Sequence, residues 1–221
     1  MKKKLIIFGA GEAAQLAHFY FTCDSDFEVV VFTVDGSYIK ENSFCGLPLV
    51  AFETIENSYP ANEFSMFVAL GYQGVNALRT QKYNQAKAKN YDLVSYISSK
   101  ATILSDSKTG DNCFIFEDNT IQPFTQIGNN VTLWSGNHIG HHATIGDNCF
   151  ITSHVVVSGG VEIGENCFLG VNATLRDHIT IAKNCVVGAG ALILADTVEN
   201  GIYTNQAAKL SKVPSTMLEK I

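Results

Sequence analysis

From residue 103 onward the sequence repeats every six residues. An aliphatic side chain opens each hexad: Ile103, Ile115, Ile121, Ile127, Leu133, Ile139, Ile145, Ile151, Val157, Ile163, Leu169, Leu175, Ile181, Val187 and Ile193, with Thr109 alone breaking the rule. Residues 103–198 make sixteen hexads (96/6) with no insertion. A period of six fits neither an amphipathic helix nor an ordinary strand-and-turn pattern. It fits a solenoid that turns a flat corner every six residues and closes a triangular coil every eighteen. The fifth hexad position is mostly small: Cys113, Thr125, Val131, Ala143, Cys149, Val155, Val161, Cys167, Ala173, Cys185, Ala191, Thr197. A narrow prism has room for one large and one small side chain per face, so both columns are expected to point inward.

Residues eighteen apart then stack on neighbouring coils, roughly 4.8 Å apart. One corner column reads Asp111-Asn112, Asn129-Asn130, Asp147-Asn148, Glu165-Asn166, Lys183-Asn184. Asn tolerates positive φ, so this corner is structural and carries no chemistry. A second column reads Pro123-Phe124, His141-His142, Gly159-Gly160, Asp177-His178, Ala195-Asp196. It sets two histidines directly below two glycines. The third holds Glu117-Asp118, Ser135-Gly136, Ser153-His154, Val171-Asn172 and Ala189-Gly190. Loss of regularity marks places where something besides corner geometry is selected.

Residues 1–98 lack the repeat. Their pattern predicts strand 4–9, helix 12–22, strand 27–34, strand 65–71, helix 74–90 and strand 92–97, a small parallel α/β domain. The turn Gly9-Ala10-Gly11-Glu12-Ala13-Ala14 is close to G-x-G-x-x-G/A, where glycines admit a phosphate to a helix N-terminus. Asp35, after the second strand, is placed to reach a ribose or base. Gly71 ends the third strand at the same sheet edge, and Asn76 and Arg79 open the next helix within reach of a nucleotide. The alternatives are a tight turn without a ligand and a solvated Arg79. The domain has room for one mononucleotide-binding half, which disfavours a dinucleotide.

A net charge of −6 argues against nucleic-acid binding. The opening Lys2-Lys3-Lys4-Leu5-Ile6-Ile7-Phe8 has an apolar run too short for a signal peptide and reads as a buried strand. No segment approaches the roughly 18 apolar residues of a membrane span. Four of six cysteines occupy the small inward position, as core fillers in a reduced, cytoplasmic protein. Cys149 and Cys167 are expected to point inward and stay unreactive.

The two halves in this order resemble the bacterial nucleotide-aminosugar N-acetyltransferases, related to the sialic acid O-acetyltransferase (NeuD) group. Gly9-Ala10-Gly11, Asp35, the unbroken hexads, Ile139 to Gly146 and Ile163 to Gly170 carry the likeness. It implies a Rossmann-like domain (1–98) for a nucleotide-linked amino sugar and a left-handed parallel β-helix with a C-terminal tail (99–221) for acetyl-CoA. It also implies a homotrimer with active sites between β-helices, serving surface-glycan (O-antigen, lipopolysaccharide) assembly. The left hand comes from the resemblance, since parallel crossovers generally favour the right. The resemblance makes His141 the catalytic base. Related enzymes often carry Glu next, where this chain has His142, so the group that orients His141 stays open. The tail Thr204-Asn205-Gln206-Ala207-Ala208-Lys209 departs from the family's closing motif, which weakens any assignment of CoA contacts there.

Acetyl transfer to an amine needs a base, a donor to the developing oxyanion, and two substrates held in line. His141 suits the first task. The backbone N–H of Gly159, one coil away, suits the second. Gly170, Gly188 and Ala189 offer open backbone for pantetheine, unless the glycines merely fit corners. Gly9, Ala10, Gly11, Glu12, Asp35, Gly71 and Arg79 are the candidate nucleotide-sugar contacts. The expected reaction is direct attack on acetyl-CoA by the amine of a nucleotide-linked 4-amino-4,6-dideoxy sugar, with no metal. The rivals are a sialic acid O-acetyltransferase, a non-catalytic nucleotide-binding scaffold, and a zinc site from His138, His142 and His154. The spacing of those histidines disfavours the last.

Overall fold

The computed structural model describes residues 2–217. The last four residues of the expected second domain, 218–221, lie outside the described residues.

The first part is built on a six-stranded sheet, ordered β3-β4-β2-β1-β5-β6. Its strands are β1 (Lys3–Phe8), β2 (Phe27–Val34), β3 (Ser43–Phe44), β4 (Leu47–Ala51), β5 (Ser65–Val68) and β6 (Asp92–Leu93). All neighbours pair in parallel except the β3–β4 hairpin. The apolar run of β1 is buried on both faces, as a central parallel strand requires. Helix α1 (Glu12–Cys23) buries Ala14, Ala17 and Phe21, one stripe at helical spacing. The hairpin was not expected. It turns through Cys45 and Gly46, both at positive φ, so its turn lacks the usual Asn-Gly or Asp-Gly signal. The single strand expected over 92–97 is two: β6 closes this sheet, and Tyr96–Ile97 is the first rung of the solenoid.

The second part is a three-sided prism of parallel sheets with seven, six and five strands. Nearly every rung pairs with the rung eighteen residues on, for example Phe114↔Thr132, Thr120↔His138 and Gln126↔Thr144. The aliphatic column from Ile115 to Ile193 is buried, and so is the small column from Cys113 to Thr197. Each fully buried aliphatic side chain contributes about 1.5–3 kcal/mol. The repeat fails at both ends. Ile103 is exposed on the first coil, where no coil lies beneath it. Past Ile193, which still lies in a strand, the period is lost: the residue six positions on is Glu199, Val198 is exposed, and the last rung, Ile202–Tyr203, pairs with Val186–Val187 after sixteen residues instead of eighteen. At the structural corner Asn112, Asn130, Asn148, Asn166 and Asn184 all have positive φ, as expected.

The first domain sits on the seven-stranded face. Phe114, Phe150 and Phe168 point outward from that face, where a free surface would carry polar residues. Phe114 packs on Phe67 and Tyr96, and Tyr72 packs on Phe150 and Phe168. Tyr20 donates to Glu117 across the junction, and Asp24 accepts from Tyr96 and the Ser99 amide. Those bonds hold the Asp24 carboxyl below its ordinary range, the Ser99 amide contributing most.

Helix α2 (Ala77–Ala88) docks on the Asn corner through buried Arg79 and its buried N-cap Asn76, while Lys82, also buried, turns to Asp35 of the first domain. Arg79 donates to the carbonyls of Asn130, Asn148 and Cys149 and to Asn76 Oδ1. Asn76 donates to the carbonyls of Asn166 and Cys167. Solenoid corners present carbonyls edge-on, and a guanidinium with five donors satisfies several at once.

Candidate active site

The second corner column sets three ring-bearing residues in the left-handed region. Phe124, His142 and His178 stand at φ of 65°, 60° and 55°. A bulky residue there costs of order 1–2 kcal/mol relative to glycine. His141, beside them, has an ordinary backbone. Its amide is held by Gln122 Oε1 at 2.9 Å, and its carbonyl accepts the Gly160 amide at 2.9 Å.

The imidazole of His141 lies over Gly159 on the next coil. A Cβ added at Gly159 would fall 2.7 Å from His141 Cε1 and 2.8 Å from Nε2. Glycine at 159 therefore leaves room for this ring. Among the described residues the Gly159 N–H has no protein acceptor. Most first-corner amides share that condition. What distinguishes Gly159 is a ring with an ionisable nitrogen against it. His141 Nδ1 lies 3.1 Å from His142 Nδ1, and the His142 ring rests on Phe124 at 4.7 Å between centroids. The His178 ring likewise lies against Gly160, and that of His154 against Gly136. His154 and His178 thus have corner roles, and His18 packs on Phe32, where burial lowers its pKa.

This corner lies between the six-stranded and five-stranded sheets. It is opposite the seven-stranded face, which carries the first domain. One chain thus keeps its Gly-rich turn and its His141 on separate sides of the prism.

The candidate nucleotide residues divide between two hollows. One, of about 570 Å³, is lined by Gly9, Ala10, Asp35, Tyr38, Lys40 and Lys82. Asp35 forms an ion pair there with Lys82 at 2.6 Å. The other, of about 320 Å³, lies between the domains and is bordered by Gly11, Glu12, Gly71, Tyr72, Arg79 and Trp134. Gly9 has its own structural reason: a Cβ would meet the Ala69 carbonyl oxygen at 2.6 Å. Gly11 caps α1, and a Cβ there would meet open space. The expected nucleotide contact from Arg79 gives way to a different role. Arg79 is neither a solvated helix residue nor a free cation, because its terminal nitrogens hold the solenoid corner. Its Nε is buried without a partner, and the residue borders the second hollow. Asn76 is likewise turned to the solenoid. Sequence reasoning missed Lys82, whose signal was its place one turn after Arg79 on the same helix face.

Corner geometry also accounts for Gly170: a Cβ would meet the Ala189 amide at 2.5 Å. At Gly188 the approach is looser, 3.2 Å to the Tyr203 carbonyl oxygen. Ala189 is exposed beside it. Asn205 of the tail donates to the Gly190 carbonyl at 2.7 Å, a cap on the last full coil. Burial pushes the Cys113 thiol up to about 11 and the Cys149 thiol well up as well. Among the described residues no three His, Cys, Asp or Glu side chains cluster closely enough to hold a metal ion.

Comparison with known proteins agrees with this architecture. The bacterial transferase hexapeptide family model (six repeats) matches residues 124–159 and 160–195. No curated protein matches the chain. Among solved structures, a point mutant of perosamine N-acetyltransferase from Caulobacter crescentus, in complex with CoA and GDP-perosamine, superposes with a TM-score of 0.79. It shares 22% identity over 90% of this chain and 92% of that one. The acetyltransferase domain of PglB from Neisseria gonorrhoeae gives a TM-score of 0.67 and 24% identity over 95% of this chain and 100% of that one. WeeI from Acinetobacter baumannii gives 0.65 and 17% over 88% and 92%. These likenesses establish a Rossmann-like α/β domain followed by a left-handed parallel β-helix built of transferase hexapeptide repeats.

Proposed function

We propose that this protein is an acetyl-CoA-dependent N-acetyltransferase acting on the amine of a nucleotide-linked 4-amino-4,6-dideoxy sugar. The observation that carries the reading is the His141 imidazole laid over the Gly159 peptide on adjacent coils of a transferase hexapeptide solenoid. The complexes of the Caulobacter relative with CoA and GDP-perosamine support both substrate classes.

His141 Nε2 takes the proton from the sugar amine as its nitrogen attacks the thioester carbonyl carbon. The carbonyl oxygen gains the negative charge and accepts the Gly159 N–H. Collapse breaks the carbon–sulfur bond, and the CoA sulfur leaves as a thiolate that the His141 imidazolium reprotonates. The products are the N-acetyl sugar and CoA. Positioned acid–base help of this kind is worth about 10²–10⁴ in rate. Gly170, Gly188 and Ala189 form the open edge for pantetheine. Gly9, Ala10, Gly11, Glu12, Asp35 and Gly71 face the nucleotide-sugar, with Lys82 setting the Asp35 carboxylate. Arg79 is assigned to domain docking.

The separation of His141 from its own first domain supports a homotrimer in which each acceptor is presented to the His141 of a neighbouring prism. Exposed Leu192, Leu194, Val156 and Val171 on the solenoid fit such contacts. No helix among the described residues is long and apolar enough to cross a membrane. We place the enzyme in the cytoplasm, working in surface-glycan assembly, and the solenoid, whose first rung is Tyr96–Ile97, as the acetyl-CoA domain.

The test is acetyl-CoA consumption by purified protein against a panel of nucleotide-linked amino sugars and free sialic acids. Turnover with an amino sugar is expected. Turnover with sialic acid alone would make it an O-acetyltransferase, and binding without turnover a scaffold.

A further inference from the structure

We propose that His142 is the positioning residue for His141. In this arrangement its bare Nδ1 accepts the His141 Nδ1–H and fixes His141 in the tautomer whose Nε2 holds the free lone pair. The inference rests on His141 being the base, and deepens that reading.

Two imidazole nitrogens 3.1 Å apart can bond only if one carries a proton and the other does not. Two neutral arrangements exist. If His142 donates, His141 must carry its proton at Nε2 and cannot receive another there. If His141 donates, its Nε2 is bare. The ring's placement separates the two edges. From the point where a Gly159 Cβ would stand, Cε1 and Nε2 lie at 2.7 and 2.8 Å and Nδ1 at 3.2 Å. The Cε1–Nε2 edge thus lies nearer Gly159 than Nδ1 does, and Nδ1 is the nitrogen beside His142.

His142 is itself held. Its backbone is left-handed, its amide donates to the Pro123 carbonyl at 3.2 Å, and its ring lies on Phe124, tilted by 39°. The rings of His141 and His142 meet nearly edge to face at 85°. At the Asn corner the same left-handed position is filled by Asn, which tolerates it better than other residues with a side chain. At this corner the chain keeps an imidazole there, under strain, one bond from the proposed base. Once His141 accepts a proton at Nε2, its Nδ1–H bond to His142 becomes charge-assisted and strengthens. The partner therefore favours the protonated state that forms during attack.

The test uses the full chain. In ¹⁵N-labelled protein, imidazole nitrogen–proton correlation at a pH where both rings are neutral should show His141 protonated at Nδ1 and bare at Nε2, with His142 the reverse. The opposite pattern overturns the proposal, whatever the enzyme acetylates. His142→Phe keeps a flat ring on Phe124 at a position where this column already tolerates Phe one coil away. It should lower kcat roughly tenfold to a hundredfold, as loss of a tautomer-fixing partner does elsewhere, with KM for both substrates and the melting temperature unchanged. His142→Glu restores an acceptor and should recover most of the rate. Unchanged kcat in His142→Phe, alongside loss in His141→Asn, overturns the positioning role and leaves the base intact. Full turnover in His141→Asn overturns both.

Discussion

Adding one methyl group at Gly159 should silence the enzyme while barely touching its stability. In Gly159→Ala the new Cβ would stand 2.7 Å from His141 Cε1 and 2.8 Å from Nε2, whereas ordinary contact begins near 3.4 Å. The ring must retreat by the difference, about 0.6–0.7 Å. It can do so, because His141 is exposed and its side chain swings. The Gly159 backbone lies outside the positive-φ region, so alanine brings no strain of its own. Stability should change by less than about 0.5 kcal/mol, as at other surface sites. The reaction is less forgiving. A displacement approaching 1 Å of an in-line group costs about 10² in rate, near 2.7 kcal/mol of barrier. The same methyl also crowds the amide offered to the oxyanion. Steady-state acetyl transfer, followed by CoA thiol release, should show kcat reduced about a hundredfold, with KM for the nucleotide sugar unchanged. Gly160→Ala is the contrast. There φ is +68° and the added Cβ meets His178, so a lower melting temperature is expected. Gly159→Ala with more than half the native kcat would refute the reasoning, because the ring could then not be working against that peptide.

Other outcomes follow from the same geometry. Inactive His141→Ala chains mixed equally with chains inactivated at Asp35 should regain about a quarter of native activity after subunit exchange, since half the prisms meet half the first domains across a symmetric interface. No recovery would place both groups in one chain's site. Arg79→Met strips the charged donor from three solenoid carbonyls and should cost about 1.5–3 kcal/mol, the worth of hydrogen bonds to a charged group. A loss under 1 kcal/mol in chemical denaturation would remove the docking role. Native alkylation should label exposed Cys23 and Cys45 and spare Cys113, Cys149, Cys167 and Cys185 until unfolding. An acyl group trapped on Cys149 or Cys167 would contradict direct attack.

The prism was legible because its core repeats: a chain with one large and one small inward side chain per hexad leaves few other ways to bury them. The vertical neighbours of His141 followed from counting eighteen. The ends of the repeat were less legible: Ile103 continues the column in sequence but has no coil to cover it, and past Ile193 the spacing to the last rung shortens from eighteen residues to sixteen. The domain junction was written in the sequence in another register. Phe114, Phe150 and Phe168 stand one position before the inward aliphatics, on one face only, and mark it as covered. The polar side of that junction gave no such sign, because Asn76 and Arg79 look like a solvated helix start until solenoid carbonyls are set beside them. The partner of His141 was hidden for a related reason. The sequence puts His142 where related enzymes carry Glu and leaves open what orients His141; the nitrogen–nitrogen distance sets the two rings as a pair.

The most direct measurement pairs two experiments on His141→Asn: binding of CoA and of the nucleotide amino sugar by calorimetry, and turnover under saturating substrate. The account predicts native affinities and a kcat at least a hundredfold lower. Native turnover in this variant would contradict it.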